Sequence, residues 1–133
     1  MVRMLQEKYP ASKRFVEDYM KKYGEPVEQD GESGYVATNV LFMAMEKAGT
    51  VTDKDKIMNA MEGLHYELTK GPEYIRACDH ERVQSYLLIR GKGETGKGWD
   101  IADIIAEIPG EQIIMSCDDN AKKLPFANIK LPR

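Results

Sequence analysis

Apolar residues recur at helical spacing through the first half of the chain and switch to alternation in the second. Ser12 can cap a helix carrying Phe15, Val16, Tyr19, Met20 and Tyr23 on one face, with charged residues opposite. Gly24 suits its left-handed end, and Pro26 blocks continuation. Residues 25–34, EPVEQDGESG, are polar and turn-rich and read as a loop. A second helix is expected from Ser33 to Ala48, apolar almost all round until Glu46 and Lys47, which predicts burial on most sides. Thr52 or Asp53 then caps a third helix with Ile57, Ala60, Met61 and Leu64 on one face.

Past Gly71-Pro72 the period shortens. Tyr74 and Arg76 alternate with Ile75 and Ala77, and Val83–Arg90 is a stronger strand rich in Val, Tyr, Leu and Ile. Residues 91–98, GKGETGKG, connect to Trp99–Ile108, a strand with Ile101, Ile104, Ile105 and Ala106 inside, or else a short helix. Pro109-Gly110 turns the chain into a brief Glu111–Met115 segment. From Asp118 onward there is no periodicity, only tail. The expected class is α/β, α+β-like in isolation: three helices followed by a β-hairpin or short sheet. Three strands are few to cover so apolar a second helix, which predicts self-association or segment swapping.

The 133 residues fit one domain by size. A net charge of −3 gives no basic surface for nucleic acid, so no nucleic-acid partner is expected. No apolar run approaches the roughly 18 residues of a membrane span. The opening MVRMLQEKYP lacks the apolar core of a secretory signal, so any such signal is expected upstream.

Several residues invite chemistry. Gly91–Gly98 nearly spells a phosphate loop, but position 98 is glycine where a magnesium-binding hydroxyl is needed; it reads as a hairpin loop. Cys78, His80 and Cys117, with Asp79, Asp118 and Asp119 nearby, lack the spacing of a structural metal site. A cysteine nucleophile paired with His80 or His65 has neither an orienting third group nor an oxyanion donor. Hence no catalytic residue, metal or cofactor is expected. His65 reads as a surface or capping residue on the third helix. Asp79-His80 reads as a corner, with Asp capping and His bonding across it. The two cysteines could be free buried thiols or an oxidised pair; sequence alone does not fix the distance between them.

Four segments, in order, carry a family pattern: Phe15–Gly24 (an F-x-x-x-Y-x-x-x-Y-G helix), Tyr35–Gly49 (a Y-x-A helix closing E-K-A-G), Ala60–Leu64 (A-M-E-G-L) and Gly71–His80 (G-P-x-x-I-R-x-x-D-H). Over about residues 12–115 the chain resembles the C-terminal third of type 1 periplasmic solute-binding proteins, which serve ABC importers of branched-chain amino acids, amides and urea. Members run two to three times longer, so the resemblance implies a fragment, a subdomain or a truncated relative.

The resemblance implies a non-enzymatic receptor whose two lobes close on a small polar ligand, an amino acid or amide, and present it to an ABC permease. Residues 1–82 would form the helical part of one lobe, 83–116 the hinge-crossing strands of the other, and 117–133 a C-terminal tail. By motif, the loop entering the Y-x-A helix faces the ligand cleft, which points to Asp30, Glu32, Ser33 and Tyr35. The acids there would suit a cationic or amide-bearing ligand; alternatively, Glu32 and Ser33 only cap the helix. The implied location is periplasmic or extracellular, where disulfides persist, so the resemblance favours a Cys78–Cys117 bridge. A regulatory ligand sensor on the same fold is the alternative.

Overall fold

A computed structural model describes residues 8–96 and 100–119. Trp99 and the tail beyond 119 lie outside the described residues. Helix α1 spans Pro10–Tyr23, α2 Gln29–Ala48 and α3 Lys54–Met61; the strands are β1 His65–Leu68, β2 Gly71–Ile75, β3 Arg82–Val83, β4 Tyr86–Gly91 and β5 Ala102–Ile108. The mixed class and the order of helices before antiparallel strands agree with the sequence expectation. The boundaries differ, and the reasons are local.

Helix α1 starts at Pro10, with Tyr9 as its extended N-cap, because proline's fixed φ and missing N–H suit the first helical position. Ser12 is therefore fully buried within the first turn and is not the cap. Gly24, at φ 75°, closes the helix and donates its N–H to the Met20 carbonyl at 2.9 Å. Helix α2 begins four residues before the expected Ser33. The segment read as loop contains no proline after Pro26, and Asp30 and Glu32 favour the first turn electrostatically. Gly31 sits there with good reason: a Cβ would stand 2.9 Å from Cγ2 of Val27. Asp53 caps α3 by accepting from the Lys56 N–H at 3.2 Å.

Only one stripe of α2 is buried, namely Glu32, Val36, Val40 and Ala44 at i, i+4 spacing. Phe42 is 60% exposed. The expected all-round burial is corrected: α3 and a three-stranded sheet cover the buried stripe, and α1 meets the helix through Phe15 on Tyr35. Val36 and Val40 meet Tyr66 of β1 and Ile75 of β2, with Met43, Met61, Leu64 and Leu68 packed round them.

Strand β1 replaces the expected tail of the third helix, since Gly63 at φ 66° ends helical geometry and Tyr66 points inward. His65 accordingly lies on a strand, stacked on Tyr74 at 4.9 Å between ring centroids. Strands β1 and β2 form a hairpin in which Leu68 opposes Gly71, leaving Thr69-Lys70 as the turn. Gly71 adopts φ +86°, and a Cβ there would come within 2.7 Å of the Tyr9 ring. Strand β3 completes the sheet in order β1-β2-β3.

Residues 84 and 85 lead into a separate two-stranded sheet, β4 against β5, with a bulge at Leu88/Ile89. Within β5 the sequence expectation is corrected. Ala102 is buried, whereas Ile101 and Ile105 are 65% and 48% exposed, and Ala106 is exposed too. The bulge breaks strict alternation, and a two-stranded sheet leaves one face uncovered.

The return of the chain is pinned beside its departure. Gly110 packs on Gln84, and a Cβ at 110 would stand 2.9 Å from the Gln84 nitrogen and as close to Val83. The Arg76 guanidinium donates to the Met115 carbonyl at 2.6 Å. Cys78 and Cys117 form a disulfide with Cα atoms 6.0 Å apart, so both thiols are consumed and neither can ligate metal or act as a nucleophile. The corner before β3 is built as expected. Asp79 accepts from the Glu81 N–H and from Arg76, while His80, in the left-handed region at φ 60°, places Nε2 2.9 Å from Glu62.

Candidate functional site

The helix α2 N-terminus, the β1–β2 turn and the β4–β5 sheet converge on an open groove of about 630 Å³. Its apolar floor is made by Val27, Leu87, Ile89 and Ala102; its polar wall includes Glu32, Lys70, Gln84 and Ser85, with Glu28 and Gln29 along α2's start. The geometry follows from the chain. The tight hairpin turn places Thr69 and Lys70 under the first turn of α2. The exit from β3 brings Gln84 alongside.

Glu32 anchors this wall and is only 2% exposed. Its Oε1 accepts a short hydrogen bond from the Thr69 hydroxyl, and its Oε2 lies 3.1 Å from the Lys70 ammonium. Arg82 stands 3.7 Å from Oε1 while gripping Glu73 through two bonds of 2.8 and 2.9 Å. Glu73 is buried on β2. Two acids and two bases therefore neutralise one another. Burial opposes the Arg82 charge, but the Glu73 hydrogen bonds and attraction outweigh it and hold the guanidinium more firmly protonated than usual. The Tyr66 hydroxyl faces Glu73 and Arg82 without a hydrogen bond of normal geometry; burial, then the Glu73 charge, pushes its ionisation up.

Lys70 also reaches the Gln84 side-chain oxygen, at 3.4 Å. Removing Lys70 or Arg82 would leave a buried carboxylate short of a partner, which is why the wall is coherent.

The four residues indicated by the motif separate here. Glu32 lines the groove. Tyr35 faces a different recess between α1 and α2, stacked on Phe15 with ring centroids 4.3 Å apart. Asp30 is exposed and Ser33 half-buried, and neither lines either hollow. Two further polar residues of the groove, Lys70 and Gln84, carry no periodic or motif signal beyond Lys70's place before Gly71-Pro72. Their role comes from tertiary proximity alone. Among the described residues no group of His, Cys, Asp and Glu is arranged to hold a metal ion, and no helix is long and apolar enough to cross a membrane.

A family model described as periplasmic binding protein matches residues 4–97. No curated protein matches the sequence. Among solved structures, an amino acid ABC transporter substrate-binding protein from Pseudomonas fluorescens superposes with a TM-score of 0.68 at 26% identity, over 76% of this chain and 27% of its own. An ABC-type branched-chain amino acid transporter from Rhodopseudomonas palustris gives 0.71 at 25% identity, over 81% and 29%. A leucine-binding protein from Thermotoga maritima gives 0.61 at 27%, over 78% and 28%. The chain spans less than a third of the length of each.

Proposed function

The chain belongs to the periplasmic binding protein family, with the type 1 fold, and from that premise we propose that it is the C-terminal portion of an ABC-transporter substrate-binding protein for amino acids, amides or similar small polar solutes. The observation that carries this is the superposition of about four-fifths of the chain on a branched-chain amino acid transport protein. The action is binding without chemistry: lobes close round the solute, and the closed form meets the permease. The helices and the β1-β2-β3 sheet would belong to one lobe, and the β4–β5 sheet to the other, with the crossing close to residues 82–86. The groove around Glu32 is the ligand surface on this reading, and Asp30, Ser33 and Tyr35 lie outside it.

The disulfide supports an exported receptor over a cytoplasmic sensor of the same fold, because reducing compartments do not preserve such bridges. The uncovered apolar side chains of β4, β5 and α2 support a further packing partner: another lobe, a second copy or a swapped segment.

The melting temperature of the oxidised chain, measured against branched-chain and aromatic amino acids, short amides, urea and polyamines, tests the proposal. A ligand at 100 times its Kd adds about 2.7 kcal/mol to the native state. For a chain of this size, a rise of roughly 10 °C with one chemical class is expected. A flat response across the panel would contradict a ligand surface on this chain.

A further inference from the structure

We infer that Tyr9 and Glu107 form a brace across the crossing at residues 84 and 85, fixing the angle between the β4–β5 sheet and the body made of α1, α2 and the β1-β2-β3 sheet. The angle matters because the groove spans the joint. Glu32 and Lys70 stand on one side of it, and Leu87, Ile89 and Ala102 on the other. The brace acts whatever the groove binds.

The covalent link does not set that angle alone. Between β3 and β4 the chain has only Gln84 and Ser85, and each residue keeps two soft dihedrals. Gly110 packs against the link itself, at the pivot. Holding the angle takes a side chain anchored in one body and bonded to the other, and Tyr9 is placed for it. Its carbonyl accepts from the Lys13 N–H at 3.2 Å, which fixes its backbone as the N-cap of α1. Its ring lies on Gly71 at the start of β2, so close that a Cβ there would stand 2.7 Å from it. Its hydroxyl donates to Oε1 of Glu107 on β5 at 2.9 Å. Glu107 is paired with Leu87, the second residue of β4, so the brace meets the second sheet beside the pivot.

Lys8 donates to the other Glu107 oxygen, Oε2. Its side chain is 58% exposed, and an ion pair so open to water contributes little by itself. What Lys8 does is condition the acceptor. Its hydrogen bond outweighs burial and holds the Glu107 carboxyl below the usual carboxylate range, while burial pushes the Tyr9 ionisation up. A protonated phenol therefore faces a carboxylate, and such a charge-assisted bond is about twice as strong as a neutral one.

Backbone residual dipolar couplings on the oxidised chain test this, because they read the orientation of one sheet against the other. In the wild type, α2 with β1-β2-β3 and the β4–β5 sheet are expected to share one alignment. Tyr9→Phe keeps the ring on Gly71 and removes only the hydroxyl bond. It is expected to lower the order of β4–β5 relative to the body by about a third, the step between rigid and flexible backbone. Glu107→Leu is expected to match it, and the double variant to fall no further, since both changes break one contact. Lys8→Met is expected to keep most of the order. A shared alignment retained in Tyr9→Phe would overturn the brace, as would separate alignments in the wild type or additive losses in the double variant. The Tyr9→Phe result decides alone if Glu107→Leu folds poorly.

Discussion

Loss of the Cys78–Cys117 bridge, by reduction or as Cys78→Ser with Cys117→Ser, is expected to lower the melting temperature by on the order of 15 °C. The two cysteines are 39 positions apart. A loop of that length restricts the unfolded chain by roughly 4 kcal/mol in the chain-entropy model. The bridge also secures a weak place in the native fold. Residues 109–117 bring the chain back from the β4–β5 sheet to the corner before β3, where Gly110 packs on Gln84, Arg76 donates to the Met115 carbonyl, and the disulfide ties the end. Amide hydrogen exchange on the reduced protein is expected to rise most in this returning segment, ahead of α2 and the β1-β2-β3 sheet. An unchanged melting temperature on reduction would mean that the bridge constrains little.

Arg82→Met is expected to cost about 3–5 kcal/mol, because it leaves Glu73 buried without its two-bonded partner and takes one cation from Glu32. Chemical denaturation reads this directly. The companion double variant Glu73→Leu with Arg82→Met is expected to recover most of the loss, since removing both charges also removes the unpaired one. The cost of the single change therefore reports the desolvated carboxylate rather than the net worth of the pair. If the single and double variants are equally destabilised, packing of the Arg82 stem, and not charge, is what β3 contributes.

Both effects act on features that the sequence disclosed unevenly. The helices were legible because Phe15, Val16 and Tyr19, and later Ile57, Ala60 and Met61, repeat at helical spacing, and Gly24 and Gly49 stop their helices in left-handed geometry. The start of α2 was not. One glycine and five polar residues before Ser33 look like loop, and Gly31 lets the first turn of α2 lie against Val27. Strand β1 escaped because four residues are too few to show alternation, although the inward Tyr66 was its one clue. In β5 the bulge displaced the inward positions from those that strict alternation assigns.

Of the four residues that the motif indicates, Glu32 is the one that lines the groove. Glu32 lies at the groove because the motif places it in the first turn of α2. Tyr35, three positions further round the helix, projects to the opposite recess and stacks on Phe15. The partners that give Glu32 its meaning, Thr69, Lys70 and Arg82, are 37 or more positions away, and only the hairpin turn and the β3 pairing bring them to it. No local pattern encodes that. What the tertiary fold adds is that Glu32 is buried against Thr69, Lys70 and Arg82.

The most direct measurement is a titration of the oxidised chain with leucine, followed residue by residue through backbone amide chemical shifts. Saturable shifts centred on Gln29, Lys70, Gln84 and Leu87 are predicted, with the Phe15–Tyr23 face of α1 unmoved. Shifts confined to α1 and Tyr35, or none at ligand concentrations that saturate related receptors, would contradict a solute site in this groove.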